Sequence, residues 1–307
     1  MRIAHFSDLH LLALDGVPMR RFFNKRLTGY ANLRLKRGSI HRSAYVRAIA
    51  RQIARCKLDH AIITGDLTNL ALEAEFDLAR RVIEDDLGLS PRDVTIVPGN
   101  HDLYTRGAQK TARFSTYFAR YLVGDLDALA VDIGVGRFPI VKLRGPLAII
   151  ALSSAVPRPP FVAAGVLGTP QLEALGRVLD HPEVKKRTVV IALHHPPHNP
   201  KTWLKTALEG LHDAEHLQTR LARLTHGMVL HGHLHRRVER SLATDMGSMH
   251  AIGATSASLD HADPAKMAGF NVYEMADDNG AVVRTEAHVF DPATETFHTV
   301  PLPKHAS

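Results

Sequence analysis

Short apolar runs alternate with amphipathic stretches along the first two thirds of this chain of 307 residues. Residues 2–7, 60–64, 94–97, 188–193 and 227–230 are brief, rich in β-branched side chains and almost free of alternation, the pattern of strands covered on both faces. Between them the period changes to that of a helix. Tyr45, Ile49, Ile53 and Cys56 line one face of 43–56; Leu72, Phe76, Ala79 and Ile83 line 72–86, with its acidic residues elsewhere; Phe114, Phe118 and Tyr121 line 108–122. Residues 138–143 and 147–152 read as strands joined at Gly145-Pro146, and Thr169-Pro170 opens a helix with the stripe Leu172, Leu175, Leu179. Past residue 235 the pattern becomes short alternating segments near 237–242, 248–253, 269–275, 281–290 and 296–300, which predict a second, largely antiparallel sheet. No linker, repeat or low-complexity stretch interrupts this, so the expectation is an α/β fold of two sheets flanked by helices in a single domain, 1–307.

The polar residues at the end of each buried run change the picture. Asp8 and His10 come after the first, Gly65-Asp66 after the second, Pro98-Gly99-Asn100-His101-Asp102 after the third, His194-His195-Pro196 after the fourth and His231-Gly232-His233-Leu234-His235 after the fifth. The carboxyl ends of strands are where open α/β sheets bind ligands. Singly, Asp66 reads equally well as a helix cap and His194 as a packed core residue; five such clusters in succession do not. Two divalent cations need oxygen and imidazole ligands with one carboxylate able to bridge them. The chain offers seven side chains of those types: Asp8, His10, Asp66, Asn100, His194, His233 and His235.

In that order, Asp-x-His, Gly-Asp, Gly-Asn-His-Asp, His and Gly-His-x-His, the chain resembles the calcineurin-like metallophosphoesterases over residues 8–235. The resemblance implies a four-layer α-β-β-α sandwich and two metal ions, manganese, iron or zinc, with manganese favoured. It implies Asp8, His10 and His235 on the first metal, Asn100, His194 and His233 on the second, and Asp66 between them. His101 would assist the leaving oxygen, Asp102 would orient the His101 imidazole, and a metal-bound hydroxide would attack phosphorus in line. His194 is preferred to His195 because the family motif is commonly His-x-Pro. Asn69 stands where purple acid phosphatases place a tyrosine ligand, and Pro98 where serine/threonine phosphatases place an arginine. His101 stands where the main diacylglucosamine pyrophosphatases carry an arginine. The bacterial phosphodiesterase branch remains, with a small nucleotide-like or glycerophospho-type diester as substrate.

Composition adds bounds. One cysteine, Cys56, leaves no internal disulfide and suits a cytoplasmic protein; the longest apolar stretch, about 146–156, is too short to span a membrane. A net charge of +7 favours anionic partners. Much of that charge lies in a basic insertion at about 16–42, where Met19, Phe23, Leu27 and Tyr30 share a helical face and Arg20, Arg21, Lys25, Arg34 and Lys36 lie mostly elsewhere. Either this arm docks with its cations solvated, or it gathers an anionic substrate, lipid or nucleic acid, which would place the protein at the membrane periphery. Two further readings stay open: a nuclease or lipid-pyrophosphate hydrolase that uses the arm as a platform, and a non-catalytic metal-binding scaffold.

Overall fold

The computed structural model describes residues 1–14, 17–18, 41–200 and 202–304. The expected helical arm lies outside them, apart from its ends. Strands β1 (Arg2–Phe6), β2 (His60–Ile63) and β3 (Val94–Ile96) run parallel, joined through helices α1 (Ser43–Arg55) and α2 (Glu73–Arg81). α2 runs on into a π-helical turn, 82–87, that Gly88 closes at φ 66. The expected helix 108–122 is broken into α3 (Arg106–Lys110), α4 (Arg113–Tyr117) and a 3₁₀ turn. The break falls where the Thr111 hydroxyl donates back to Gly107 O at 2.9 Å and Ala112 turns left-handed. Phe114, Phe118 and Tyr121 are buried all the same.

A short hairpin, β4 (Val131–Asp132) and β5 (Arg137–Phe138), precedes β6 (Ile140–Arg144) and β7 (Leu147–Ala151). Helices α5 (Thr169–Asp180) and α6 (Pro182–Lys185) lead to β8 (Thr188–Ala192), and α7 (Trp203–Glu209) and α8 (Ala214–Leu221) lead to β9 (Gly227–His231). The remaining strands are β10 (Val238–Thr244), β11 (Gly247–Gly253), β12 (Gly269–Met275), β13 (Val282–Asp291) and β14 (Thr296–Val300).

These five do not make a sheet of their own, contrary to the sequence pattern. β12, β13 and β14 extend the first sheet beyond β1, in the order β14-β13-β12-β1-β2-β3; β11 and β10 extend the second beyond β9, in the order β10-β11-β9-β8-β7-β6. β1 and β9 each offer an edge with unpaired backbone groups, and the late strands complete them. The apolar runs carry two faces. Ile149 and Ala151 of β7, Val190 and Ala192 of β8, and Met228 and Leu230 of β9 face the core shared with the first sheet. Their neighbours Ala148, Ile150, Val189, Ile191 and Val229 face Leu172, Leu175 and Leu179 of α5 and Leu217 and Leu221 of α8. With α1 and α2 packed on the first sheet, the result is helix, sheet, sheet, helix.

Candidate metal centre

The parallel strands of both sheets end at one place, and the loops that leave them are stitched together. Asp8 N donates to Gly65 O and His10 N to Asp66 O, both at 2.9 Å, and Gly232 N donates to His194 O at 3.0 Å. Three glycines make this approach possible. A Cβ on Gly99 would lie 2.2 Å from Asp66 Oδ1, one on Gly232 would lie 1.9 Å from Ser7 Oγ, and one on Gly65 would lie 2.6 Å from Gly99 N. The backbone carries strain as well. Of ten described non-glycine residues with positive φ, five are Asp8, His10, Asp66, His233 and His235. A left-handed L-residue costs roughly 1–2 kcal/mol, so the fold concentrates strain where five polar side chains must turn inward.

Asp8, Asp66, His10 and His194 are all buried. His10 Nε2 lies 3.0 Å from His235 Nε2, and His235 Nε2 lies 3.2 Å from Asp8 Oδ1. Yet among the described residues Asp8 Oδ1 has no hydrogen-bond donor: these atoms are aimed at a common point rather than at each other. On the other side, His194 Nε2 lies 3.4 Å from Asp66 Oδ2 and 3.1 Å from Asn100 Oδ1. Asp66 Oδ2 is also 3.9 Å from His10 Nε2, which puts it between the two groups. His233 is turned so that Nε2 lies 2.9 Å from Glu209 O, and its ring centroid lies 5.2 Å from that of His194. Three overlapping triads of donors result: Asp8, His10 and His235; His10, Asp66 and His101; Asp8, Asp66 and His194.

The donor set fits divalent cations. Burial pushes the Asp66 carboxyl up, but the imidazoles of His194, His101 and His10 more than reverse this and hold it well below the usual range. Burial pulls His194 down, and the Asp66 carboxylate overrides it, raising the imidazole to about 9. A divalent cation held beside Asp66 would supply the positive charge that its carboxylate draws. His195 offers nothing here: its Nδ1 is 2.8 Å from Ser154 Oγ and its Nε2 2.7 Å from Ala163 O.

His101 sits at the lip, its backbone N donating to Asp66 Oδ1 at 2.7 Å. Its Nδ1 lies 2.7 Å from Asn69 O, and its ring joins His10 and Asp66 in one group of donors. The carboxylate expected to orient it does other work. Asp102 accepts from Leu67 N, Thr68 N and Gly99 N, and from the Thr68 hydroxyl at 2.9 Å, clamping two loops. Burial and the Asp66 charge push its pKa up to about 7 against the pull of those donors.

Four contributors escaped the sequence reading. Asn69 ties His10 O to the His101 ring; Thr64 O lies 2.7 Å from His194 Nδ1; Ser256 donates to Asp8 O at 2.6 Å. The His41 ring lies 4.9 Å from that of His10. None belongs to a motif with a spacing signal, since three of them act through backbone carbonyls. The basic insertion leaves past Leu12, Leu14 and Val17, which pack with Tyr104 on Leu70 and Leu72, and re-enters at His41. Tyr104 in turn stacks on His101 at 5.4 Å. Beside it a groove of about 340 Å³ is walled by Tyr104, Arg106, Pro157, Arg158, Pro159 and Pro160.

Two mixed sheets stacked face to face, with carboxylate, amide and imidazole groups converging from five strand ends, define a metal-dependent phosphoester hydrolase. The chain belongs to the calcineurin-like phosphoesterase family, whose model matches residues 1–237. In fold it is similar to a dimetal phosphatase from Danio rerio, with 15% identity, TM-score 0.55, and coverage of 93% of this chain and 94% of that one. It is also similar to a purple acid phosphatase from yellow lupin (Lupinus luteus) seeds, with 10% identity and TM-score 0.59. That match covers 99% of this chain and 53% of the lupin chain. No curated protein matches the chain in sequence. Among the described residues no helix is long and apolar enough to cross a membrane.

Proposed function

We propose that the protein is a phosphodiesterase working with two divalent cations, manganese for preference, on a small nucleotide-like or glycerophospho-type diester. The observation that carries the reading is the convergence of His10 Nε2 and His235 Nε2, 3.0 Å apart, on an Asp8 oxygen that has no hydrogen-bond donor among the described residues. Asp8, His10 and His235 would hold one cation, Asn100, His194 and His233 the other, and Asp66 Oδ2 would serve both. Cations bound there lower the pKa of water and neutralise charge building on the phosphoryl oxygens.

The rest is the work of the chain. Thr64 O fixes the His194 ring through Nδ1, and Asn69 O does the same for His101. Thus held, His101 presents Nε2 to the leaving oxygen, and a proton given there is worth about 10²–10⁴ in rate. A diester carries a second substituent that needs room, and the groove beside Tyr104 gives it on the His101 side. The test is turnover of bis(4-nitrophenyl) phosphate against 4-nitrophenyl phosphate, with manganese, zinc and iron. The diester should be preferred; a strong preference for the monoester would reject the diesterase reading, and no turnover with any of these metals would reject the hydrolase.

A further inference from the structure

Large apolar side chains that stay exposed are few among the described residues, and most of them gather at one place. Phe161, Trp203, Leu204, Leu208 and Leu234 stand on three segments that frame the mouth of the metal centre. Phe161 is 88% exposed and Trp203 81%. α7 buries none of its side chains, and Leu204 and Leu208, four apart, share a face beside Trp203. The helix is nonetheless fixed in place. Ala163 N donates to Leu208 O at 2.7 Å, Gly165 N donates to Gly210 O at 2.9 Å, and Glu209 O lies 2.9 Å from His233 Nε2. Phe161 takes a left-handed backbone, φ 66, which is strained for a bulky residue, and burial of its ring does not offset that strain.

Cations share this rim. Arg106, Lys205 and Arg236 are exposed around it. Arg158 is half-buried, donating through Nε to Ala164 O at 3.1 Å, with Nη2 3.2 Å from His212 Nδ1. Glu209 is the acid on the same helix.

We infer that this rim is an interfacial surface, seated on an anionic lipid bilayer so that the centre opens toward the headgroups and the phosphoester it meets is one carried by the membrane. The inference rests on the phosphoesterase reading above. Exposed aromatic rings interleaved with Lys and Arg suit the headgroup layer, where the rings bury apolar area and the cations meet anionic lipid. Each cation near such a surface strengthens binding about fivefold. A second copy seated here would close the mouth through which substrate must pass, whereas a fluid bilayer covers the rim and delivers the substrate.

Trp203 is the chain's single tryptophan, so its emission reports on α7 alone. The full chain would be titrated with vesicles of phosphatidylcholine and with vesicles also containing phosphatidylglycerol. The expected result is a blue shift and co-sedimentation with the anionic vesicles, weakened by added salt and slight with phosphatidylcholine alone. Phe161→Ser with Leu204→Ser, which keeps the tryptophan, should lower the partition coefficient about tenfold or more. Should that pair fail to fold, Trp203→Ser read by sedimentation takes its place.

Three results would overturn the inference: no shift and no sedimentation with anionic vesicles; unchanged partition in the variants; or a blue shift that grows with protein concentration alone as a dimer forms. Turnover of bis(4-nitrophenyl) phosphate without vesicles is measured in parallel. Its loss would remove the hydrolase reading and leave the vesicle result standing, while vesicle failure with turnover intact would remove only the interfacial surface.

Discussion

At the floor of the centre Asp8, Asp66 and His194 are buried, their loops are paired to one another, and three glycines leave no room for a methyl group. At the rim, α7, whose last residue Glu209 meets His233 through its carbonyl, buries no side chain at all. The floor accepts costs that a stable fold avoids elsewhere: left-handed aspartates and histidines, two buried carboxylates, imidazole nitrogens crowded to within 3.0 Å. The rim leaves apolar area in solvent. The difference teaches which positions the chemistry fixes. Ligand atoms must be held within about half an ångström, which requires backbone support behind each of them; the exposed side chains of the rim meet no such requirement.

The comparison can be broken most severely at Asp66. Asp66→Asn removes the charge placed between the two donor groups, and the purified variant should lose both metals and all measurable turnover. Two tightly held ions, counted by elemental analysis, would show that Asp66 is not shared. His101→Ala should keep its metals and lose roughly 10²–10⁴ in kcat, with a smaller loss for nitrophenol esters, whose leaving group needs no proton. Equal losses for good and poor leaving groups would make His101 a positioning residue.

Next in size is Gly232→Ala, whose methyl would meet Ser7 Oγ at 1.9 Å and Asp8 Oδ2 at 2.5 Å. A destabilisation of about 1–3 kcal/mol is expected, read as a lower midpoint of thermal unfolding. Gly176→Ala, in α5 with nothing within 4 Å of its added methyl, should move the midpoint the other way by about 0.4–1 kcal/mol. The smallest effect belongs to the rim: Trp203→Ser should change stability by no more than about 0.5 kcal/mol. A loss comparable to that of Gly232→Ala would mean that α7 supports the floor after all.

The ligand loops were legible because each polar cluster comes directly after an apolar run and a glycine marks each close approach. Asn69, Thr64 and Ser256 were not, since they act through or upon backbone carbonyls, and any small polar residue after a strand looks the same. Asp102 misled for a related reason: a carboxylate next to a catalytic imidazole suggests a pair, yet burial turned it toward the amides of Leu67, Thr68 and Gly99. The late strands were legible as strands but not as members of a sheet, because alternation reports a covered face and not which edge stands open. α7 gave no core signal because none of its side chains is buried. Of the basic insertion, only the ends fall among the described residues; they leave beside Tyr104 and return at His41, at the lip of the centre.

The pairing of Arg2 with Glu274 and of His5 with Asn271 bears on how the protein is made. β1 leaves the ribosome before the other strands described, and the neighbour that completes one of its edges is synthesised only after both histidines of the Gly-His-x-His motif. Ser256 and Ala257, which fasten the backbone of Ser7 and Asp8, are equally late. A nascent chain halted after His235 would carry every ligand and still lack the strand and the two fastenings that hold the first of them. Contacts between such distant parts of a chain form slowly, so the first ligand loop is expected to be fastened late in folding.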